Sequence, residues 1–575
     1  MNRNEFLSAV TGTISGDQKP SNGKTPVSPF ANKVLPSVER TTAGLELYTG
    51  TWGWDQVAHL LRRTTFGPAQ ADVNALTQLT MSGAVDLLLA PPAGETSQPM
   101  NTDSRDFVPV GSTWVNVQYR NPNTADTFNP TGVRTASLKA WWMGLMINQQ
   151  LSIREKMVLF WHNHFVTETA VVADPRFSYR YVALLRSNAL GNFLSLVRQI
   201  TYEGAMLRYL NGNTNTKSSP NENYGRELQE LFSIGKGPEV APGDYTYYTE
   251  SDVKAAARVL TGWRDATNTD GTMGATTWTF DPTRHDTTDK QFSTDYGSTL
   301  IAGGTDGARE LDDLLAMIFA QPETALFICR KLYRWFVYYV IDPTTETNVI
   351  SPMADLLRAN NYDIVPVLSA LLKSAHFFDP VNMGCMIKSP MDFAAGIPRL
   401  FSLAIPSTPL TTQYAMWTYF VNQGSTMDQN LGDPPNVAGW PSYYQEPEYN
   451  ELWVNSDTLP KRTRMTDALV QSGYTTGGAT MKMDVLAFVK TLSNPSDPNV
   501  VLDETVRLLF ANPITANQRA FLKDTLIPGL PDYEWTVEWN TYTANPTDPT
   551  AISAVSSKLI ALIKFMMEMP EFHLL

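Results

Sequence analysis

Residues 221–235 read NENYGRELQELFSIG, and this stretch is the best guide to the fold of the chain. Placed on a helix at about 100° per residue, it puts Tyr224, Leu228 and Phe232 on one face. Glu227 falls inside the same face. A carboxylate that points into a core is costly unless it is ion-paired, hydrogen-bonded or bound to a cation. The stretch therefore predicts an amphipathic helix that carries a buried acidic residue.

The same helical periodicity recurs from about residue 136 to the end of the chain. The clearest predicted helices cover residues 138–149, 153–165, 221–234 and 252–263. Thr249 and Asp252 have the spacing of a capping box at the start of the last of these. Alternation over residues 276–280 predicts a small β-hairpin. The predicted fold class is all-α, as a large multi-helix domain with long irregular loops and this hairpin.

Composition divides the 575 residues into three parts. Residues 1–45 are rich in Ser, Thr, Pro, Gly and Lys, which predicts a disordered or signal-like arm. Residues 46–475 carry the strongest helical pattern and form the predicted core domain, with an Asn/Thr/Pro-rich insertion near residues 95–135. Residues 476–575 are a C-terminal helical segment that we expect to pack on this core. An apolar content of 43% is sufficient for a large core.

Charge and length exclude several classes of partner. The net charge of −13 argues against nucleic acid, whose phosphates require a basic surface. No run of 18 apolar residues is present, so we expect no membrane span. Cys329 and Cys385 are too few for a disulfide framework or a zinc ribbon. The N-terminus resembles the start of a twin-arginine export signal with Asn4 in place of the second arginine. No long apolar segment follows it, so a remnant signal and a plain disordered start both fit.

Two histidines lie in residues 154–165, which read REKMVLFWHNHF. On a helix His164 falls near the centre of the apolar face and His162 points almost opposite. Ligands on one face lie three or four residues apart, so the two could bind one ion only if the helix ended near Asn163. His164 is therefore either a metal ligand or acid/base group, or a core histidine hydrogen-bonded to a carboxylate or carbonyl.

A third candidate element is the loop pair His285 and Asp286. Loops carry much of the chemistry of proteins, although a turn-forming aspartate beside an incidental histidine explains the pair equally well. For Glu227 the alternative is a buried ion pair with Arg226, Arg258 or Arg154. The predicted catalytic residues are Glu227, His164, His285 and Asp286. The predicted ligands of a divalent metal ion are His162, His164, Glu227 and His285.

Several motifs in a fixed order resemble one bacterial family, which is catalogued as domain of unknown function number 1800. The matching segments are residues 59–68, 155–165, 221–235, 248–263, 285–292, 387–390 and 434–441, followed by a C-terminal pattern at 569–573. The resemblance implies export in many relatives and gene neighbourhood with a sulfatase-like family. It implies no established activity.

Two functional hypotheses follow. In the first, the chain is an exported metal-assisted or acid/base hydrolase with its site near His164, Glu227 and His285. In the second, it is a non-catalytic scaffold or a surface protein that binds a polysaccharide or another protein through the aromatic residues 440–444. The expected partners are a polysaccharide or a sulfatase-like exported protein. The expected location is periplasmic or extracellular, and the weak signal leaves a cytoplasmic location as the alternative.

Overall fold

α-Helices dominate the computed structural model, which describes residues 40–92, 97–119, 121, 125–241 and 244–575. The all-α prediction is confirmed, because β structure in the described residues is limited to short antiparallel pairs. The predicted N-terminal arm lies outside the described residues except for residues 40–45.

The α-helices of the first half are Trp54–Thr64, Gln70–Leu76, Met81–Leu89, Thr131–Ile147, Arg154–His164, Thr169–Val172, Pro175–Ser187, Phe193–Thr201, Gly204–Tyr209, Glu222–Glu230 and Glu250–Val259. Those of the second half are Gly307–Phe319, Pro322–Phe336, Pro343–Thr345, Ser351–Ala359, Ile364–Leu372, Pro390–Leu400, Leu410–Thr426, Thr458–Gln471, Val485–Val489, Pro498–Leu509, Ala516–Leu526, Asp532–Ala544 and Pro549–Glu568. Short 3-10 turns, among them Pro441–Tyr443 and Tyr449–Trp453, connect them.

The strands form separate antiparallel pairs. These are Glu239–Ala241 with Asp244–Tyr245, Trp263–Asp265 with Trp278–Phe280, Lys290–Gln291 with Leu300–Ile301, and Tyr474–Thr476 with Ala479–Met481. The predicted hairpin at 276–280 corresponds to the second pair, in which Trp263 lies opposite Phe280.

The Glu222–Glu230 helix packs closely on the Glu250–Val259 helix. A Cβ added to Gly225 would lie 3.1 Å from the Ala257 nitrogen and 3.2 Å from the Val253 oxygen. The predicted capping box starts the second helix, since the Thr249 N–H donates to the Asp252 carboxylate over 2.8 Å. This close approach fixes the Glu222–Glu230 helix relative to its neighbour.

The predicted helix at 221–234 is shorter than expected. It ends at Glu230, and the next residues form a wider turn in which both Leu231 and Phe232 donate their N–H groups to the Glu227 carbonyl. Gly235 completes the turn with φ of +76°, a conformation that favours glycine. The turn directs the Phe232 carbonyl toward His164 and the Leu231 carbonyl toward Lys331.

The described residues of the insertion near 95–135 are mostly irregular up to the helix that begins at Thr131, and some of them are buried. Trp114 is fully buried and donates its indole N–H to Ser137. Asp106 and Arg134 form a buried ion pair at 2.6 Å. The aromatic ring and the paired charges therefore attach this segment to the core.

One apolar cluster runs from Val57 to Leu574, so the C-terminal helices share a core with the rest of the chain. Pro549–Glu568 is the one helix of the described residues that is long and apolar enough to cross a membrane, by length and composition alone. Its buried face, which includes Val555, Leu559 and Met566, packs against neighbouring helices.

Candidate functional site

His164 ends its helix deep in an aromatic cluster. Its side chain is 2% exposed and packs among the rings of Phe160, Phe165, Phe193 and Phe232. Its Nε2 lies 3.1 Å from the Phe232 carbonyl oxygen, so this nitrogen carries the hydrogen and Nδ1 is left as an acceptor. Burial and the nearby Lys331 charge hold the pKa of His164 well below its usual value. The imidazole is therefore a neutral, fixed group.

Lys331 donates a hydrogen bond to the Nδ1 acceptor of His164. Its Nζ lies 3.2 Å from His164 Nδ1 and 3.0 Å from the Leu231 carbonyl oxygen. Part of the lysine side chain still reaches the surface. Burial of the amine, assisted by the charge of Arg334, lowers the pKa of Lys331 to about 7. The turn after Glu230 and the end of the His164 helix thus hold an amine that titrates near neutral pH.

The amine lines a narrow cleft of about 40 Å³, which has room for a few water molecules. Aromatic side chains form most of its walls, and Lys331, Arg334, Asn163 and Asn450 add polar groups. Its aromatic residues are Phe160, Trp335, Tyr339, Tyr443, Tyr444 and Tyr449. We call this site the Lys331 cleft.

The loop that closes one side of the cleft is anchored to the His164 helix. Trp440 donates its backbone N–H to Asn163 Oδ1 over 3.0 Å. Gly439 has φ of +99°, and a Cβ there would lie 2.4 Å from the same oxygen and 2.7 Å from the Asn163 carbonyl. Only a residue without a side chain fits this position.

His162 points away from His164, as the helical wheel predicts. Its Nδ1 lies 3.1 Å from the Tyr181 hydroxyl, and its ring packs against Trp142 and Trp440. Burial lowers the pKa of His162 to about 3. The two histidines have no ring neighbour in common, so they do not face one ion.

His285 belongs to a separate buried network. Its Nε2 lies 3.2 Å from Glu310 Oε1, its Nδ1 lies 2.8 Å from the Thr261 carbonyl oxygen, and Lys290 binds the other Glu310 oxygen. The side chains of His285, Lys290 and Glu310 have no exposed surface. These contacts are those of a structural cluster that fixes the loop at 285–290 to the Gly307–Phe319 helix.

Asp286 is engaged on the protein surface beside this network. Arg258 binds its carboxylate at 2.7 Å, and the Thr288 hydroxyl donates to it at 2.6 Å. Burial by itself would raise the pKa of Asp286, but these hydrogen bonds outweigh burial and hold the pKa well below its usual value. The carboxylate is thus fully ionised and already partnered, which suits a loop anchor better than a proton-transfer group.

Glu227 is half-buried rather than part of the buried face, which Tyr224, Gly225, Leu228 and Gln229 form. The helical wheel places Glu227 beside Leu231 and Ile234. The helix ends at Glu230, however, so those two residues do not extend its apolar face around Glu227. None of the three arginines proposed as its partner forms an ion pair with it in the described residues. Arg226 pairs with Glu250, Arg258 with Asp286, and Arg154 with Glu155. Burial and repulsion by Glu230 raise the pKa of Glu227 to about 7.

Glu227→Gln is therefore expected to stabilise the protein at high pH. The folded-state pKa of about 7 exceeds the ordinary 4.5, so the stability of the wild type falls as the pH rises between these values. Glutamine removes that loss, and we expect a gain of roughly 1–2 kcal/mol above pH 7 after allowance for solvent screening. Urea denaturation on both sides of this window measures it. A loss of stability at every pH would contradict the unpaired state of Glu227.

The four predicted metal ligands do not meet at one point. His164, His162 and His285 have separate sets of partners, and among the described residues Glu227 is linked to His164 through the backbone of residues 231–232. Within the described ranges no three His, Cys, Asp or Glu side chains are grouped to hold a metal ion. The predicted convergence on one cavity is not supported, because the helix at 154–164 and the loop at 285–286 use their histidines in different parts of the core.

Sequence patterns did not single out Lys331. It lies in the Pro322–Phe336 helix, where a lysine reads as a solvated residue, and its environment depends on two distant segments. A useful signal was available in hindsight: the spacing of Phe327, Lys331 and Trp335 places the lysine on an aromatic face of that helix.

A larger cavity, of about 400 Å³, lies elsewhere, beside Glu203, Tyr202 and Trp278. Burial raises the pKa of Glu203 to about 7. However, this carboxylate accepts the N–H groups of Ala205 and Met206 at the start of a helix, and also the Thr277 hydroxyl. Its oxygens are occupied by capping contacts. Size alone therefore does not make this cavity the better candidate.

A family model described as protein of unknown function (DUF1800) matches residues 59–574. The chain belongs to this family. No curated protein and no solved structure matches it. In this DUF1800 member, two segments that carry the resemblance, residues 155–165 and 434–441, contribute to the Lys331 cleft, and Met386 beside the segment 387–390 completes one wall. The cleft is thus one of the places where separate segments of this resemblance meet.

Proposed function

We propose that this protein is an acid/base enzyme, with Lys331 as its proton-transfer group and His164 as the residue that positions it. The observation that carries the proposal is the Lys331 amine, held by His164 Nδ1 and the Leu231 carbonyl at the wall of a cleft. A general acid or base works best when its pKa lies near the operating pH, and lysines reach such values by desolvation.

The contacts of Lys331 favour a role for its neutral form. Both of its protein partners accept hydrogen bonds from the amine, so its lone pair remains available for a ligand in the cleft. His164 stays neutral because burial and the adjacent amine oppose its protonation. The histidine therefore orients the lysine and does not compete for the proton. Hydrolysis of a bound ester, amide or glycoside is the reaction class that we infer for such a pair.

Non-catalytic binding is the second candidate, and the aromatic wall of the cleft favours it. Tyr444 is 38% exposed at the mouth, and the Arg334 guanidinium lies 5.2 Å from the centre of the Tyr449 ring. Aromatic side chains beside charged groups are typical of ligand-binding surfaces. A polysaccharide or a protein segment would then bind at the cleft without being converted.

The reactivity of Lys331 tests the proposal without a known substrate. Trace acylation across a pH range, read by peptide mass spectrometry, is expected to give half-maximal labelling of Lys331 near pH 7. The exposed Lys217 is the internal reference for the labelling of a solvated lysine amine. In the His164→Gln variant, the pH of half-maximal Lys331 labelling should shift. A Lys331 profile equal to that of Lys217 would contradict the proposal.

Turnover separates the two candidates. Wild-type protein is assayed on a panel of esters, amides, glycosides and anionic polysaccharides, and Lys331→Met is expected to lower kcat by about 10²–10⁴ on any substrate that is converted. Lys217→Met is the matched control and should retain full activity. Binding without conversion, unchanged in Lys331→Met, would favour the non-catalytic candidate.

A further inference from the structure

Beside the Lys331 cleft lies a second, smaller cavity of about 20 Å³. The two share Trp335, Met386, Tyr443 and Asn450 in their walls, so the second cavity adjoins the first. We call it the inner pocket. Its remaining polar lining comes from Arg63, Lys156, Ser389 and Asp392.

The inner pocket is lined by donors that have no acceptor. Trp335 Nε1, Asn450 Nδ2, and both Nε and Nη1 of Arg63 are buried without a hydrogen-bond partner in the described residues. The three side chains are 7%, 3% and 1% exposed. Buried donors of this kind are normally satisfied. Their collection around one cavity indicates a missing group that accepts hydrogen bonds.

The charged groups around the inner pocket also favour a ligand that accepts hydrogen bonds and carries negative charge. Asp392 is the acidic side chain among the lining residues, which also include Leu575, the last residue, and Asp392 is already bound by Lys156 and by the Ser389 hydroxyl. Arg63 donates through Nη2 only to the Asn382 carbonyl and the Cys385 sulfur, which carry no full negative charge. The partly buried Lys388 and the buried Arg462 also donate to carbonyl oxygens. Buried cations are ordinarily paired, and in the described residues no carboxylate forms an ion pair with Arg63.

From these donors and charges we infer that the inner pocket binds an oxyanion group, a carboxylate, sulfate or phosphate, of a ligand whose body lies in the Lys331 cleft. Arg63 would supply two N–H donors, and Trp335 and Asn450 one each. Such an arrangement selects for an anionic saccharide or another acidic ligand over a neutral one. The inference rests on the proposed function only in assigning this ligand to the same cleft.

The test is the thermal midpoint of the whole protein in low-millimolar acetate, sulfate or phosphate, against chloride at equal ionic strength. We expect at least one oxyanion to raise the Tm by about 1–2 °C as its concentration passes well above its Kd. Comparison of the Tm in acetate, sulfate and phosphate identifies which oxyanion the pocket prefers. No rise with any of them would mean that the inner pocket binds no oxyanion, and the inference would be overturned.

Variants distinguish the pocket from a general salt effect. Trp335→Phe removes the unpartnered indole N–H and should weaken anion binding about tenfold. Arg63→Met should abolish the rise, and because it removes an unpaired buried cation it should melt no lower than the wild type in chloride. An equal rise in wild type and Arg63→Met would show an adventitious ion or a general salt effect only, and would overturn the inference.

Lys331→Met separates this inference from the proposed function. The amine lies on the outer cleft and is not part of the inner pocket, so the variant should keep the full oxyanion effect while it loses turnover. Loss of the oxyanion effect in Lys331→Met would place the anion at the outer cleft and overturn the inner-pocket assignment. Retention of turnover in this variant would contradict the proposed function alone.

Discussion

Glu310→Gln is expected to destabilise the protein by about 3–5 kcal/mol, the range observed when one partner of a buried ion pair is removed. Glu310 is the acid of a cluster without exposed surface, where it binds Lys290 and lies 3.2 Å from His285 Nε2. Glutamine keeps the shape but leaves the Lys290 charge uncompensated in the core. Urea denaturation at neutral pH measures the loss.

The matched control is Asp313→Asn, which breaks the exposed pair between Arg309 and Asp313 on the same helix. A surface pair of this kind contributes less than about 1 kcal/mol. Equal effects of the two substitutions would show that the cluster around Glu310 is not the buried anchor described above. The double variant Glu310→Gln with Lys290→Met should recover part of the loss, since no unpaired charge then remains.

Gly439→Ala is expected to have the second large effect and to destabilise the protein by roughly 2–5 kcal/mol. The added Cβ would combine an unfavourable positive φ with a clash against Asn163, including 2.7 Å to its backbone oxygen. A backbone atom cannot move aside as a flexible side chain can, so the loop must shift. The Trp440 N–H would then no longer bond to Asn163. Lys331 should lose its half-maximal labelling near pH 7, and the Lys331 cleft should no longer bind its ligand.

Gly478→Ala is the control for the conformational part of this cost. Gly478 has φ of +77°, and a Cβ there meets no described heavy atom within 4 Å. Only the backbone strain of about 1–2 kcal/mol applies. If both alanine variants lost the same stability, the contact between Gly439 and Asn163 would carry no energy of its own.

Local patterns predicted the elements of this fold well. Helical periodicity located the helices at 154–164 and 250–259, the Thr249 capping box, and the opposed directions of His162 and His164. These features depend on residues three or four positions apart, so they can be obtained from the sequence alone. The order of the motifs was likewise sufficient to recognise the family.

The composition of the site was decided only by tertiary structure. Glu227 left the buried face because the helix stops at Glu230, and His285 was taken into a cluster with Glu310 and Lys290. Lys331 became a candidate because segments about 100 and 167 residues away supply its two acceptors. Burial and pKa depend on which segments pack together, and a helical wheel contains no information about the neighbouring element. The sequence by itself therefore determined the helices and the family, whereas long-range packing decided which polar groups face one another.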